Sequence, residues 1–168
     1  NTLSDKVALH VLKHIDKNFL RYTWLDRGSD ERQYCAPGVD LPIASIMRSK
    51  YGEFPEYHTS LDNLDFVTEE GLLGGYELVK DCIYIVENNR SFRVICYGEP
   101  QLGKRGLRPD FTTKKSIEPF RALSDFISYA DGNNDLLQIS NIIRKPVREI
   151  VPIAEKLLEA GDIDWFVQ

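Results

Sequence analysis

The chain predicts an α/β fold followed by a small, mostly helical C-terminal module, and three observations carry that expectation. Apolar residues recur at helical spacing in two long stretches, one near the N-terminus and one from Thr68 to about Asn88. Between them lie two short runs of strand character, Arg21 to Leu25 with Tyr, Thr and Trp, and the more apolar Leu41 to Met47. From about Ile117 the pattern changes to shorter helical periods separated by turn residues. At 168 residues there is chain enough for one sizeable core, or a modest core with a satellite domain.

The first helix is expected from Asp5 to Asn18, with Ala8, Leu12, Ile15 and Phe19 at spacings of three and four and Ser4 as its cap, covering one face of a sheet. A polar turn, Gly28 to Tyr34, follows the first strand run. Thr68 caps the second helix, Glu69 and Glu70 favour its dipole, and Leu72, Tyr76, Val79, Ile83 and Val86 form its expected buried stripe. Ser91 to Tyr97 reads as a short extended segment. Glu99 to Asp110, with two glycines and two prolines, reads as a loop or linker.

Further on, Pro119 opens a helix to Ala130, Asp131-Gly-Asn-Asn makes a turn, and Asp135 caps a short helix to Ile143. A third helix has Pro146 in its first turn, Val147, Ile150, Val151, Ala154, Leu157 and Leu158 on its apolar side, and Gly161 as its stop. Pro152 should kink or restart it. With an extended Asp162 to Val167, this order resembles a winged helix-turn-helix unit. The expected domains are residues 1–110 and 111–168.

A hydrophobic share of 42% with 28% charged residues is that of an ordinary soluble protein. No apolar run approaches the roughly 20 residues of a membrane span, and no signal pattern opens the chain, so the expectation is a cytoplasmic protein without membrane contact. Because the chain starts with Asn and enters a helix almost at once, it reads as an excerpt of something longer. Cys35, Cys82 and Cys96 are odd in number and widely spaced, which argues against a disulfide framework and suggests small buried hydrophobes. The net charge of −5 gives no broad footprint for nucleic acid. Arg144, Lys145 and Arg148 would line the start of a recognition helix, yet residues 117–168 hold five basic and nine acidic side chains, a net −4. Protein contact or self-association through the C-terminal domain is therefore expected ahead of nucleic acid.

Chemistry concentrates between Gly28 and Asn63. Asp30 stands in a tight polar turn and His58 in a loop with Glu53, Glu56, Tyr57 and Asp62. Alone, His58 reads as an ordinary loop histidine. Together with Asp30 it looks like half of a metal site, because carboxylate oxygen and imidazole nitrogen are donors that zinc accepts. His10 and His14 also have ligand spacing on a helix, but no Glu follows His10 and the apolar stripe lies elsewhere, so both are expected to face solvent. Lys104 and Arg105, set between glycines, read as a solvated loop, with closure over an anionic group as the other reading.

Ser29-Asp30, Gly38 before an apolar run, and Tyr57-His58-Thr59 with Asp62 resemble the last two ligand segments of the co-catalytic di-zinc aminopeptidases, a family that includes the glutaminyl cyclases. A closer resemblance covers nearly the whole chain. Gly28-Ser-Asp-Glu-Arg-Gln-Tyr-Cys, Tyr51-Gly-Glu-Phe-Pro-Glu-Tyr-His-Thr-Ser, Asp62-Asn-Leu-Asp-Phe and Glu99-Pro-Gln-Leu-Gly-Lys-Arg-Gly-Leu are similar to a bacterial family with an aminopeptidase-like domain and a C-terminal winged helix. Its members are often described as polysaccharide-biosynthesis proteins, and Leu136-Leu-Gln-Ile-Ser and Leu157-Leu-Glu-Ala-Gly match its C-terminal part.

The resemblance implies a partial zinc-aminopeptidase-like mixed sheet with flanking helices, followed by a small winged helix-turn-helix domain. It also implies zinc, with two ions in the full-length parent, and a small peptide-like or amino-sugar-like substrate. Asp30 and His58 would be metal ligands, Asp62 would orient His58, and Glu31 and Tyr57 would stand behind the ligands or face substrate. The family's upstream His, bridging Asp and Glu-Glu pair, with the general base, have no match before Asp30. Where these peptidases often have His after the ligand Asp, this chain has Glu31, which puts ordinary aminopeptidase specificity in doubt. The function implied is a zinc aminopeptidase-like hydrolase of a peptide or amide bond, linked to polysaccharide biosynthesis. The alternative is a non-catalytic metal-binding or scaffold protein that uses its acidic winged helix for protein contacts.

Overall fold

The computed structural model describes residues 1–107 and 114–166, the side chains of 114–116 excepted, and the chain forms two compact units, Asn1–Tyr84 and Ile85–Gln168. Helix α1 spans Leu3–Ile15. Its cap is Thr2 rather than Ser4: Asp5 N–H donates to the Thr2 hydroxyl at 3.3 Å, and Thr2 N–H donates back to the Asp5 carboxylate at 2.8 Å. The Ser4 hydroxyl is spent elsewhere, donating to the Pro42 carbonyl at 2.5 Å. Val7, Ala8, His10 and Val11 are the residues that α1 buries; of the expected stripe Ala8 is buried, Leu12 and Phe19 are half-buried and Ile15 is exposed, so the inward face is turned part of the way from the expected one. His10, expected in solvent, is 2% exposed; His14 remains exposed with its ring 4.7 Å from that of His10.

The two expected strands of this unit do not form. Thr23 caps a single 3₁₀ turn, Trp24–Asp26, whose Asp26 carboxylate accepts the Thr23 N–H at 2.9 Å. Residues 41–47 are held by local bonds, Leu41 N–H to the Tyr34 carbonyl at 2.8 Å and the Cys35 thiol to the Ile43 carbonyl at 3.7 Å. A strand exists through its ladder, and neither run has a partner strand among the described residues.

The short helix α2 spans Glu31–Tyr34. The long α3, Glu69–Asn88, begins as expected, with Gly71 N–H donating to the Thr68 hydroxyl at 3.1 Å. Its apolar stripe is present but not buried: Leu72, Tyr76, Val79, Ile83 and Val86 are all exposed, and Ile85 is the residue it buries. Periodicity states what a helix can bury, and burial also needs a neighbour of matching shape. None of the cysteines is fully buried or bonded to another: Cys35 and Cys82 are half-buried and Cys96 is exposed.

The second unit is built on a three-stranded antiparallel sheet in which β1 (Ser91–Val94) lies between β2 (Asp131–Asp135) and β3 (Ile163–Phe166). β1 runs in register along β3 from Ser91 opposite Phe166 to Val94 opposite Ile163. Its pairing with β2 shifts between Ser91 and Arg93. The segment Asp131-Gly-Asn-Asn, a turn by composition, is thus drawn into a strand, because pairing with β1 outweighs its local preference. Gly132 adopts φ +91°, where a β-carbon would stand 3.4 Å from the Phe166 ring. The compact units divide at Tyr84/Ile85, upstream of residue 110, since β1 belongs to this sheet.

Helices α4 (Lys114–Tyr129), α5 (Leu136–Ile143) and α6 (Val147–Glu159) pack on one another. α4 starts ahead of Pro119, which lies inside it. Asp135 caps α5 as expected, in a reciprocal box with Gln138. α6 runs unbroken through Pro152, whose ring is on the exposed side. It ends in a Schellman motif: Asp162 N–H reaches the Leu157 carbonyl at 2.9 Å, Gly161 N–H reaches that of Leu158 at 3.0 Å, and Gly161 takes φ +68°. Phe126, Leu136, Leu137, Ile139, Ile150 and Leu157 form the centre of the core, with the Phe92 ring edge-on to Phe126 at 5.7 Å. No helix among the described residues is long and apolar enough to cross a membrane.

Candidate functional site

The first unit carries the two segments that hold the expected ligands. Asp30 stands at the start of α2, exposed, with no capping hydrogen bond from its side chain. Its backbone carbonyl accepts Gln33 N–H at 3.0 Å, so the turn is held by the main chain and the carboxylate stays available. Past α2, positive φ at Gly38 (+90°) and Asp40 (+49°) reverses the chain.

Glu31 is engaged where Asp30 is not. Its Oε1 accepts Gly28 N–H at 2.7 Å, Ser29 N–H at 3.0 Å and the Tyr51 hydroxyl at 3.1 Å, and Ser45 Oγ lies 3.4 Å from Oε2. The Ser29 amide foremost, opposed by partial burial and helped by Gly28 and Tyr51, lowers its pKa to about 2. Glu31 therefore acts as a charged clasp that closes the turn next to Asp30.

The second segment, Tyr51 to Asp62, is an aromatic loop. Phe54 stacks on Phe66 at 5.4 Å and meets Tyr57 edge-on at 5.7 Å. Tyr57 lies flat on the His58 ring, 3.9 Å between centroids and 16° between planes. His58 is exposed and has φ +58°, a left-handed conformation that few non-glycine residues adopt. Asp62 is exposed, its N–H donating to the Thr59 carbonyl at 3.2 Å, while the Thr59 hydroxyl donates to the Glu56 carbonyl at 2.8 Å.

Tyr51 joins the two segments, and sequence reasoning missed it. Its hydroxyl meets Glu31 and lies 3.3 Å from the Asp26 carbonyl, while its ring is 6.2 Å from that of Tyr57. Burial first, and the Glu31 carboxylate second, raise its pKa. Lys50, 15% exposed at its side chain, places Nζ 5.0 Å from the Tyr51 ring centroid and 5.1 Å from that of Tyr22. The Tyr22 hydroxyl donates to Glu53 at 2.6 Å. Rings at 51, 54 and 57 were the available signal, three aromatics at a spacing of three.

Oxygen from Asp30 and nitrogen from His58, both accessible, fit zinc in kind. Two donors fall short of the four that a structural site uses or the three of a catalytic one. Among the described residues no group of three or more His, Cys, Asp or Glu side chains could hold a metal ion.

In the second unit a cavity of about 440 Å³ is lined by Cys96, Tyr97, Glu99, Gln101, Lys104 and Arg105, with Asp162 at its wall. Arg105 is not free to close over an anion: its Nε lies 2.8 Å from Asp162 Oδ1 and its Nη1 donates to the Ala160 carbonyl. The Asp162 carboxylate is fully buried and within ion-pair distance of Arg105, yet neither oxygen has an aligned hydrogen bond. Lys145, one of the three cations at the start of α6, is paired with Glu118 at 2.8 Å and Glu149 at 3.4 Å.

A family model described as "Domain of unknown function (DUF4910)" matches residues 1–89, and one described as "winged helix-turn-helix" matches residues 90–164. A Clostridium acetobutylicum protein named "Putative polysaccharide biosynthesis protein with aminopeptidase-like domain" is 40% identical over 141 residues, 81% of this chain and 32% of its own length. The crystal structure of a "putative peptidase" from Clostridium acetobutylicum superposes with a TM-score of 0.83 at 35% identity, over 96% of this chain and 36% of that one. The chain thus spans about a third of the length of the relatives it matches.

Proposed function

Starting from a chain that belongs to the DUF4910 family and carries a C-terminal winged helix, we propose that it forms part of a zinc aminopeptidase-like hydrolase acting on a peptide or amide bond. At family level the likeness is of peptidase kind, and the link to polysaccharide biosynthesis comes from a relative's name.

The observation that carries the reading is the pairing of an unengaged carboxylate with an exposed imidazole on two segments tied to each other. Asp30 is free of capping bonds beside the clasped Glu31, and His58 is held by the Tyr57 ring. In this reading Asp30 supplies an anionic oxygen and His58 a neutral nitrogen to zinc, with one or two ions completed by groups from outside these residues. Zinc held there by Asp30, His58 and the completing groups would supply Lewis-acid polarisation of a substrate carbonyl and activation of water. Stacking on Tyr57 limits rotation of the His58 ring and leaves its edge, where the nitrogens lie, for coordination. Glu31, saturated at Oε1, keeps the Asp30 turn closed. The substrate class is a small peptide-like or amino-sugar-like molecule, and the acidic C-terminal domain, with Lys145 already neutralised, suits a protein partner or a second copy better than nucleic acid.

The test is zinc content by plasma mass spectrometry on the longest natural form of the protein beside its Asp30→Ala and His58→Ala variants. About two ions per chain, reduced in both variants, supports the hydrolase reading. No zinc in the wild-type protein overturns it and leaves the scaffold role, in which the fold outlasts its chemistry.

A further inference from the structure

We propose that Tyr51 is the positioning residue that sets the two ligand segments at a fixed separation, an inference that rests on the reading of Asp30 and His58 as ligands. Three observations meet at this side chain. Its hydroxyl is hydrogen-bonded at 3.1 Å to Glu31, the residue next to Asp30. Its ring contacts Tyr57, which in turn lies flat on the His58 ring. Its ring edge also rests on Gly28, where a β-carbon would stand 2.9 Å from Tyr51 Cζ, so only glycine lets the phenol come this close.

The bridge acts on both ligands through separate atoms. At the hydroxyl end it fixes Glu31, whose other bonds to Gly28 and Ser29 define the turn that presents Asp30. At the ring end it backs Tyr57 and so limits where the His58 imidazole can go. Lys50 over the outer part of the cluster, 5.0 Å from the ring centroid, restrains Tyr51 further. A metal ion bound by two segments needs their donors placed together, and groups that orient ligands are worth about 10- to 100-fold in affinity. Tyr22 is the internal comparison: it also bonds a carboxylate, Glu53 of the second segment, and faces Lys50, but it makes no bond to the Asp30 turn and so does not tie the two segments together.

The experiment measures zinc affinity by competition with a chromogenic chelator, zinc ion alone being the probe, on the longest natural form of the protein. Wild type is compared with Tyr51→Phe, Tyr51→Leu and Tyr22→Phe, and thermal midpoints of the zinc-free proteins are recorded. Tyr51→Phe should weaken zinc binding about 10-fold and Tyr51→Leu further, toward 100-fold. Tyr22→Phe should leave affinity within about twofold, even where its midpoint falls as far as that of Tyr51→Phe, because the bond it loses ends on one segment and leaves the tie between the two intact. Wild-type affinity in both Tyr51 variants overturns the positioning role while the ligand assignment stands. Equal weakening in Tyr22→Phe overturns it as well, by showing general loosening. A wild-type protein that binds no zinc overturns the ligand assignment, and the inference with it.

Discussion

The phenol of Tyr51 occupies the space where a side chain on Gly28 would begin, and the turn that holds Asp30 is closed from the same position by the Tyr51 hydroxyl. Gly28→Ala should therefore push the ring away and break its bond to Glu31, at a cost of about 1–3 kcal/mol. Urea unfolding of the variant measures the cost. An unchanged midpoint would show that the loop gives way without strain.

Arg105 neutralises a carboxylate that is wholly buried. Its replacement by Ala should destabilise the second unit by about 1–3 kcal/mol, through Asp162 left without its cation rather than through lost surface contact. The double variant Arg105→Ala, Asp162→Asn should recover part of that loss in calorimetry. No recovery would place the effect in the packing of the arginine stem.

Phe126 is completely buried and touches the Phe92 ring of the sheet. Phe126→Ala should cost about 3–5 kcal/mol, transfer and cavity terms together. Chemical denaturation gives the value, and a loss under 1 kcal/mol would mean that the three helices collapse into the void.

The left-handed Gly161 closes α6, and an L side chain there is strained whatever the space around it. Gly161→Ala should lower stability by about 1 kcal/mol, whereas Gly103→Ala, at an open position without positive φ, should not. Parallel thermal melts of the two variants distinguish backbone strain from a general dislike of alanine.

Glu118, exposed, and Lys145, half-buried, form a pair whose pH dependence has a definite sign. The Lys145 ammonium lowers the Glu118 pKa from 4.5, so that contribution is present above 4.5 and fades as the pH falls below it. Glu118, ahead of Glu149, raises the Lys145 pKa from 10.5, so that contribution is present below 10.5 and fades as the pH rises beyond it. The stability difference between wild type and Glu118→Gln should be level between these limits and shrink outside them. High salt should reduce it throughout. A difference indifferent to both pH and salt would remove the ion pair as its cause.

Local signals were read well where the residue itself carries the mechanism. Thr68 and Asp135 cap their helices as expected because a short polar side chain at a helix entrance finds the orphan amides whatever surrounds it, and Gly161 stops α6 because it alone takes that φ cheaply. Readings that needed a neighbour fared otherwise. The α3 stripe and residues 21–25 and 41–47 have the right patterning without packing or ladder partners among the described residues, and Asp131-Gly-Asn-Asn became a strand through its pairing with β1. In the candidate site the donor types at Asp30 and His58 were legible, while Tyr51 was not. The aromatic spacing hints at its contact with Tyr57, but its contacts with Glu31 and Gly28, at least 20 residues upstream, arise only in the fold.

The order β2-β1-β3 has a consequence for synthesis. The central strand is made first and both of its partners afterwards, with β3 separated from it by all three helices of the unit. On the ribosome, one edge of β1 can pair once residues 131–135 emerge, but the other stays open until residues 163–166 follow, so the sheet closes late and over a long loop. Through that interval Phe92, which ends up 4% exposed, has no finished core to enter. The nascent second unit is thus most vulnerable to wrong pairing and to chaperone capture in the last moments before its third strand arrives.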